Sequence, residues 1–326
     1  MKPFQYIKAT DTATALFSAK KQKSHYVAGG TNQVDLMKDN INYPDTLIDI
    51  TTAISKDITA TDKGIIIGAM VRNSTIANDK TVKDNYPLLA KAILAGATPQ
   101  IRNMASTGGN LLQRTRCPYF FDTALPCNKR KPGSGCSAIK GDNRMAAIIG
   151  TSAECIAVHP SDMCIALAAL DATVQVTTKD GSKQSILFKD FHRLPGTTPN
   201  LDNNLPENAL ITGIKIPVNN FYKNFSYLKL RDRDSYAFAL ISVAAALDMN
   251  DETIKDARLA SGGVAHKPWR WYEAEAFLKG KKATQANFAQ AASIATKGTK
   301  GFEHNAFKIP MLKAAIEVAL TNCITV

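Results

Sequence analysis

Two kinds of group in this chain could do chemistry: glycine loops rich in backbone donors, and thiols. The first loop is Gly29-Gly30-Thr31-Asn32-Gln33 and the second is Ser106-Thr107-Gly108-Gly109-Asn110. The first runs from a short apolar strand, Tyr26-Val27-Ala28, into a helix that opens at Val34. Strand, glycine turn and helix N-terminus together make a cradle for a phosphate or diphosphate; a plain glycine turn is the other reading. Neither loop matches G-x-G-x-x-G or a P-loop, so those nucleotide fingerprints do not apply. Two such loops in one α/β unit suggest a long dinucleotide held at each end.

The thiols are Cys117, Cys127, Cys136, Cys155, Cys164 and Cys323. The stretch from Cys117 to Cys155 follows directly on the second loop, and it is basic and rich in Pro and Gly. A chain of 326 residues needs no disulfide staples. Ligation of a metal or an iron–sulfur centre is therefore favoured over disulfides. The stretch Gln113–Gly150 has little periodicity. A loop of that length is functional or disordered, and the cysteines argue for an insertion ordered by a ligand. Cys164 falls within a helix and reads as a core thiol, and Cys323 as incidental.

Other candidates are weaker. His159 precedes Pro160 and reads as a turn residue, and His266 lies in a glycine loop. Trp269 and Trp271 flank Arg270; stacking on a flat ligand competes with core packing. No Ser–His–Asp order, His-x-x-x-His pair or paired-carboxylate constellation is present, so the chain shows no substrate-transforming machinery of its own.

Composition sets the outer bounds. The profile, 45% hydrophobic and 21% charged, is that of a globular chain of two or three units. The net charge is +12, but the lysines are scattered and no aromatic-interleaved basic patch stands out. An acidic partner protein therefore fits better than nucleic acid. No apolar run suits a membrane span, and the first residues lack an apolar signal core. Cytoplasm is the default compartment.

The elements that must position these groups read as follows. An amphipathic helix is expected within Pro3–Lys23, capped by Asp11 or Thr12, with Ala13, Leu16 and Phe17 on one face. Strands are expected at Thr46–Ile50, Gly64–Gly68 and Cys155–Val158, and a helix over Tyr86–Ala95. Asp162 or Ser161 would cap a helix over Met163–Leu170, and a hairpin follows around Asp180-Gly181. A strand ends at Pro217, and the boundary falls near Pro217–Asn224. Ala237–Met249 suits a buried strand or a helix. Strands at Ser226–Leu230 and Ile254–Ala260 are followed by three helices toward the C-terminus.

Four motifs then carry a resemblance: GGTNQVDLMK (Gly29–Lys38), STGGNL (Ser106–Leu111), HPSDM (His159–Met163) and GGVAHKPWR (Gly262–Arg270). Together they resemble the FAD-binding middle subunit of the molybdenum hydroxylases, over essentially the whole chain. QRTRCPYF, LPCNKRKPGSGC and HPSDM further resemble the flavin subunit of bacterial, xanthine dehydrogenase-type aldehyde oxidoreductases, which carries an extra 4Fe–4S cluster in an inserted loop.

The resemblance implies an α+β fold. A vanillyl-alcohol-oxidase/PCMH-type FAD-binding domain of two α/β subdomains would occupy 1–220, with the cysteine insertion at about 113–155. A carbon monoxide dehydrogenase flavoprotein-like domain, a small antiparallel sheet with helices, would occupy 221–326. Tyr26 to Val34 would hold the FAD diphosphate with backbone N–H groups, and Ser106 to Asn110 its other side. Asp162 and Lys229 would contact the cofactor, and Cys117, Cys127, Cys136 and Cys155 would ligate the cluster. Nine, eight and eighteen residues separate these cysteines, a spacing unlike any ferredoxin run. Four thiolates alone suit zinc equally. The implied function is electron transfer through FAD, between 2Fe–2S clusters on a small partner subunit and a terminal acceptor. The substrate, an aldehyde by this resemblance, is oxidised on a molybdenum-cofactor subunit. A free-standing FAD reductase and a zinc-stabilised binding protein are the alternatives. Relatives exported with a partner subunit keep the periplasm open as a compartment.

Overall fold

A computed structural model describes residues 1–325. Among the described residues the chain builds three sheets, and the first leads into the glycine loop. β1 (Gln5–Lys8), β2 (Ser24–Val27) and β3 (Thr46–Asp49) pair in parallel in the order β1-β3-β2. Parallel neighbours need a crossover. The helices Thr12–Ser18 and Gln33–Lys38 lie in these crossovers. The helix expected within Pro3–Lys23 spans Thr12–Ser18, and Gln5–Lys8, ahead of its cap, pairs with β3. Asp11 is its cap, accepting from the Thr14 N–H at 2.8 Å. Phe17, expected on the buried face, is 72% exposed.

The second sheet is antiparallel throughout. β4 (Ile58–Thr61), β5 (Gly64–Gly68), β6 (Thr173–Thr177), β7 (Lys183–Leu187) and β8 (Leu210–Pro217) run in the order β4-β5-β8-β6-β7. The expected hairpin is β6–β7. Between β5 and β6 come helices, among them Pro87–Ala95, Pro99–Met104 and Thr107–Leu111, and then the cysteine segment. The strand expected at Cys155–Val158 is absent. That stretch bonds locally instead, with the Ala147 N–H donating to Ile156 O at 2.8 Å and the Ser152 N–H to Cys155 O at 3.2 Å. The next helix spans Asp162–Ala169 and is capped by Ser161, whose Oγ accepts from the Cys164 N–H.

The third sheet joins β9 (Asn224–Leu230), β10 (Ile241–Asn250), β11 (Thr253–Gly262) and β12 (Trp269–Arg270) in antiparallel order β12-β11-β10-β9. The ambiguous apolar run is β10, a strand. It reads as continuously apolar because both of its faces are covered. Ala244 and Ala246 pack into the core of the first 221 residues, with Ala260 of β11. Ile241, Val243, Ala245 and Leu247 pack under the helices Tyr272–Leu278, Gln285–Thr296 and Lys308–Asn322. Alternate side chains of one strand therefore serve two cores. Trp271 belongs to the second core, its indole N–H donating to Ser261 Oγ at 2.8 Å. Among the described residues no helix is long and apolar enough to cross a membrane.

Candidate cofactor cavity and cysteine site

A cavity of about 790 Å³ opens where the three sheets meet. Its first wall is the loop after β2. Gly29 passes so close beneath the Pro99–Met104 helix that a Cβ there would lie 1.9 Å from Met104 O, and Gly30 has a left-handed φ of 73°. The N–H groups of Gly29, Gly30, Thr31, Asn32 and Gln33 take no acceptor within the chain, among the described residues. All five residues line the cavity. Five consecutive free donors at the start of the Gln33–Lys38 helix are suited to an anion. Asn32 Oδ1 accepts from the Arg114 N–H at 3.1 Å, which ties this loop to the start of the cysteine segment. Tyr26 and Ala28 also line the cavity. The Tyr26 hydroxyl, pushed up to about 12 by burial, donates to Asn208 O at 3.1 Å. Val27 instead packs with Met37 and Leu47, and Val34 sits behind Gly30, outside the lining.

The second loop meets the same cavity with different groups. Ser106, Gly108, Gly109 and Asn110 line it, whereas Thr107 is buried and donates its hydroxyl to Val71 O at 2.8 Å. The segment opens the Thr107–Leu111 helix, and four of its five N–H groups, all but that of Ser106, are already used. The Thr107 and Gly108 N–H groups go to Val71 O and Ala69 O, each at 2.9 Å. Ser106 takes the other two, the Gly109 N–H on Oγ and the Asn110 N–H on its carbonyl. The N–H cradle expected on both loops therefore exists on the first alone. The second offers side chains and a close backbone surface. Asn73, also in the lining, leaves Oδ1 buried without a donor.

Asp162 and Lys229, 67 residues apart, meet in the cavity wall. Lys229 Nζ lies 2.7 Å from Asp162 Oδ2 and donates to Ala95 O at 3.0 Å. Asp162 Oδ1 accepts from the Tyr227 hydroxyl at 2.7 Å. Burial, with the Asp162 charge beside it, raises the Tyr227 phenol well above its ordinary range. The two charges face each other, so the wall is polar but internally neutralised.

Cys117, Cys127, Cys136 and Cys155 line one second, small cavity of about 10 Å³. Cys127 and Cys136 pair as an antiparallel bridge, and Cys117 lines the large cavity as well. All four are free thiols. Burial raises Cys117 to about 11 and Cys155 to about 12, and lifts Cys136 as well. Backbone N–H groups face these sulfurs, the Ala157 N–H donating to Cys155 Sγ at 3.4 Å. Among the described residues no three of these sulfurs lie within 4.8 Å of one another. A tetrahedral zinc would hold sulfurs roughly 3.8 Å apart, given Zn–S bonds of about 2.3 Å.

Sequence reasoning missed two groups beside these sites, Asp202 and the buried His192. Asp202 holds the buried ammonium of Lys129, with Arg114 Nε at 2.6 Å and His266 Nε2 at 3.9 Å. Burial raises the Asp202 carboxyl, but Lys129 and Arg114 outweigh it and hold the group below its usual range. His192 packs against His159, ring centroids 4.4 Å apart. No local motif marks Asp202 or His192, since their partners are distant in the chain.

Comparison with known proteins extends this picture. The family model for the FAD binding domain in molybdopterin dehydrogenase matches residues 2–219. The model for the CO dehydrogenase flavoprotein C-terminal domain matches residues 225–301. The chain is 47% identical to the aldehyde oxidoreductase FAD-binding subunit PaoB of Escherichia coli, over 85% of this chain and 86% of that one. It is 28% identical to the glyceraldehyde dehydrogenase medium chain of Sulfolobus acidocaldarius, over 97% and 98%. Carbon monoxide dehydrogenase from Hydrogenophaga pseudoflava shares the fold, with a TM-score of 0.77 at 22% identity, covering 99% of this chain and 98% of that one.

Proposed function

The chain belongs to the family of FAD-binding medium subunits of the molybdenum hydroxylases, and from that premise we propose that it is the flavin subunit of an aldehyde-oxidising member. A molybdenum-cofactor large subunit would oxidise the substrate, and a small 2Fe–2S subunit would deliver the electrons. Bound FAD takes up single electrons and releases pairs, which couples one-electron clusters to a two-electron acceptor. The chain's own part is to bind, orient and shield that cofactor. The observation that carries this reading is the run of five free N–H groups from Gly29 to Gln33 on a cavity of about 790 Å³. They would hold the diphosphate, with Tyr26 and Ala28 beside them and Val27 and Val34 anchoring the ends of the segment. Ser106, Gly108, Gly109 and Asn110 would form the opposite wall, with Thr107 fixing it from behind. Asp162 and Lys229 would face the cofactor's polar groups. The buried, donorless Asn73 Oδ1 fits a ligand that brings its own donor. We also read the chain as two units, 1–220 with the insertion at about 113–155, and 221–326. The separate cores on the two faces of β10 support that division.

For Cys117, Cys127, Cys136 and Cys155 we propose a 4Fe–4S cluster. Four thiols around one small cavity, backbone N–H groups aimed at the sulfurs and sulfurs spread wider than a zinc site support it. The small volume between them requires the thiols to turn apart about χ1. Cys117, shared by both cavities, would bring the cluster beside the flavin site. The purified complex should show flavin absorption with a broad iron–sulfur shoulder. Cys127→Ser should remove about four irons per chain while flavin stays. Unchanged iron, or a colourless chain holding zinc, would refute the cluster; a complex without flavin would refute the larger reading.

A further inference from the structure

The histidine pair beside the cavity serves none of these roles. His159 lines the cavity, and its Nε2 is buried without a partner among the described residues. The ring of His192 packs against it, tilted by 59°, and His192 Nδ1 is equally buried and unpartnered. His192 Nε2 lies 2.9 Å from Leu111 O. A carbonyl only accepts, so Nε2 is the nitrogen that carries the proton. Burial brings His192 down to about 4, so the ring is neutral and Nδ1 holds a bare lone pair. Ligating atoms of His159, Cys164 and His192 lie within 4.8 Å of one another. If His159 kept its proton on Nδ1, this pair of packed rings would hold two buried lone pairs, His159 Nε2 and His192 Nδ1, each without a donor. The Cys164 thiol is too weak a donor to replace a ring N–H.

We propose that His192 is a positioning residue: it fixes His159 in the Nε2–H tautomer, so that His159 Nδ1 turns an acceptor into the cavity and takes a hydrogen bond from a hydroxyl or N–H of the bound cofactor. The last clause rests on the cavity being the FAD site; the tautomer itself does not. Second-neighbour groups set imidazole tautomers in the same way at metal sites, where they orient the ring and choose the nitrogen presented.

Nitrogen NMR of the full chain labelled with nitrogen-15 histidine reads the tautomer directly, with and without FAD. His159 should carry its proton on Nε2 in both states. FAD titration then separates the two faces of the ring. His159→Asn keeps a polar acceptor near the Nδ1 position and should bind FAD within about twofold of wild type. His159→Gln reaches toward His192 instead and should weaken FAD roughly two- to tenfold, the worth of one hydrogen bond. His192→Phe should mix the tautomers of His159 and weaken FAD by a similar factor, with no further loss in a His159→Asn background. A proton on His159 Nδ1 in the loaded chain, equal losses for the Asn and Gln variants, or a metal ion bound by His159, Cys164 and His192 would overturn the proposal. Should wild type bind no FAD, the reading of the cavity fails while the tautomer result still stands.

Discussion

Gly29 and the Asp162–Lys229 pair show how single residues set this cavity. A Cβ at Gly29 would collide with the Met104 carbonyl, which is backbone and cannot turn aside. Gly29→Ala should destabilise the chain by about 1–3 kcal/mol and lower its flavin content, read by denaturation and by released flavin. Retained flavin at wild-type stability would contradict the close approach. Lys229 and Asp162 are both nearly dry, with side chains 5% and 8% exposed. Lys229→Met strands a buried carboxylate and should cost about 3–5 kcal/mol; Lys229→Met with Asp162→Leu should cost less than the single change. Additive losses in urea would argue that the two do not interact. His192 and His266 are both held neutral, at about 4, chiefly by burial. Their folded values lie below the unfolded value of about 6.5, so the unfolded chain binds more protons between these limits. Stability should be fully present above about pH 6.5 and fall as pH drops toward 4, and His192→Phe should flatten that slope. A pH-independent melting temperature across this window would refute the assignment.

At the scale of elements, β10 decides how the two cores communicate. Its run from Ala237 to Met249 carries no helix period and no polar alternation, so its type was ambiguous in the sequence. Burial on both faces removes the alternation that marks an ordinary strand. Ala244 and Ala246 point to the core that holds the Asp162–Ala169 helix, and Ile241, Val243 and Leu247, with Ala245, point to the C-terminal helices. Ala244→Leu should overpack the first face, cost about 1–3 kcal/mol and reduce bound flavin by displacing the helix that begins at Asp162. Val243→Ala should cost stability on the other face and leave flavin content unchanged. An equal loss of flavin in both variants would show that the strand does not separate the two faces. Helix and strand positions elsewhere were largely legible from caps and periodicity. The failures were local and physical. Phe17 fits the apolar pattern of its helix yet faces solvent, and Cys155–Val158 is strand-like but bonds to the cysteine segment.

For the whole molecule, the cysteine segment is held by distant parts of the chain. Arg144 makes a two-pronged ion pair with Asp232, at 3.0 and 2.9 Å. Asn305 Nδ2 donates to Ala146 O at 3.1 Å. Lys308, fully buried, donates to Ala146 O at 2.8 Å and to Gly263 O, so one amino group joins the cysteine segment to the β11–β12 turn. Lys308→Met should leave Gly263 O unpaired and Ala146 O to Asn305 alone, cost about 1–3 kcal/mol and make the cysteine segment the first site cut by protease. Cleavage elsewhere first would show that the clasp does not order this segment.

By itself the sequence determined what short stretches can encode: the two glycine loops, the cysteine-bearing segment, most helix caps and the family. Each of these depends on residues within a turn or two of one another, where backbone geometry and capping act. Only the tertiary structure decided which donors remain free. The Ser106–Asn110 loop looked like a second N–H cradle, but Val71 O and Ala69 O, brought in from the end of β5, consume its leading donors. Only the structure likewise paired Asp162 with Lys229, Lys129 with Asp202 and His159 with His192. A hydrogen bond or ion pair is satisfied by whatever group the packed core delivers, and sequence separation does not reveal that partner.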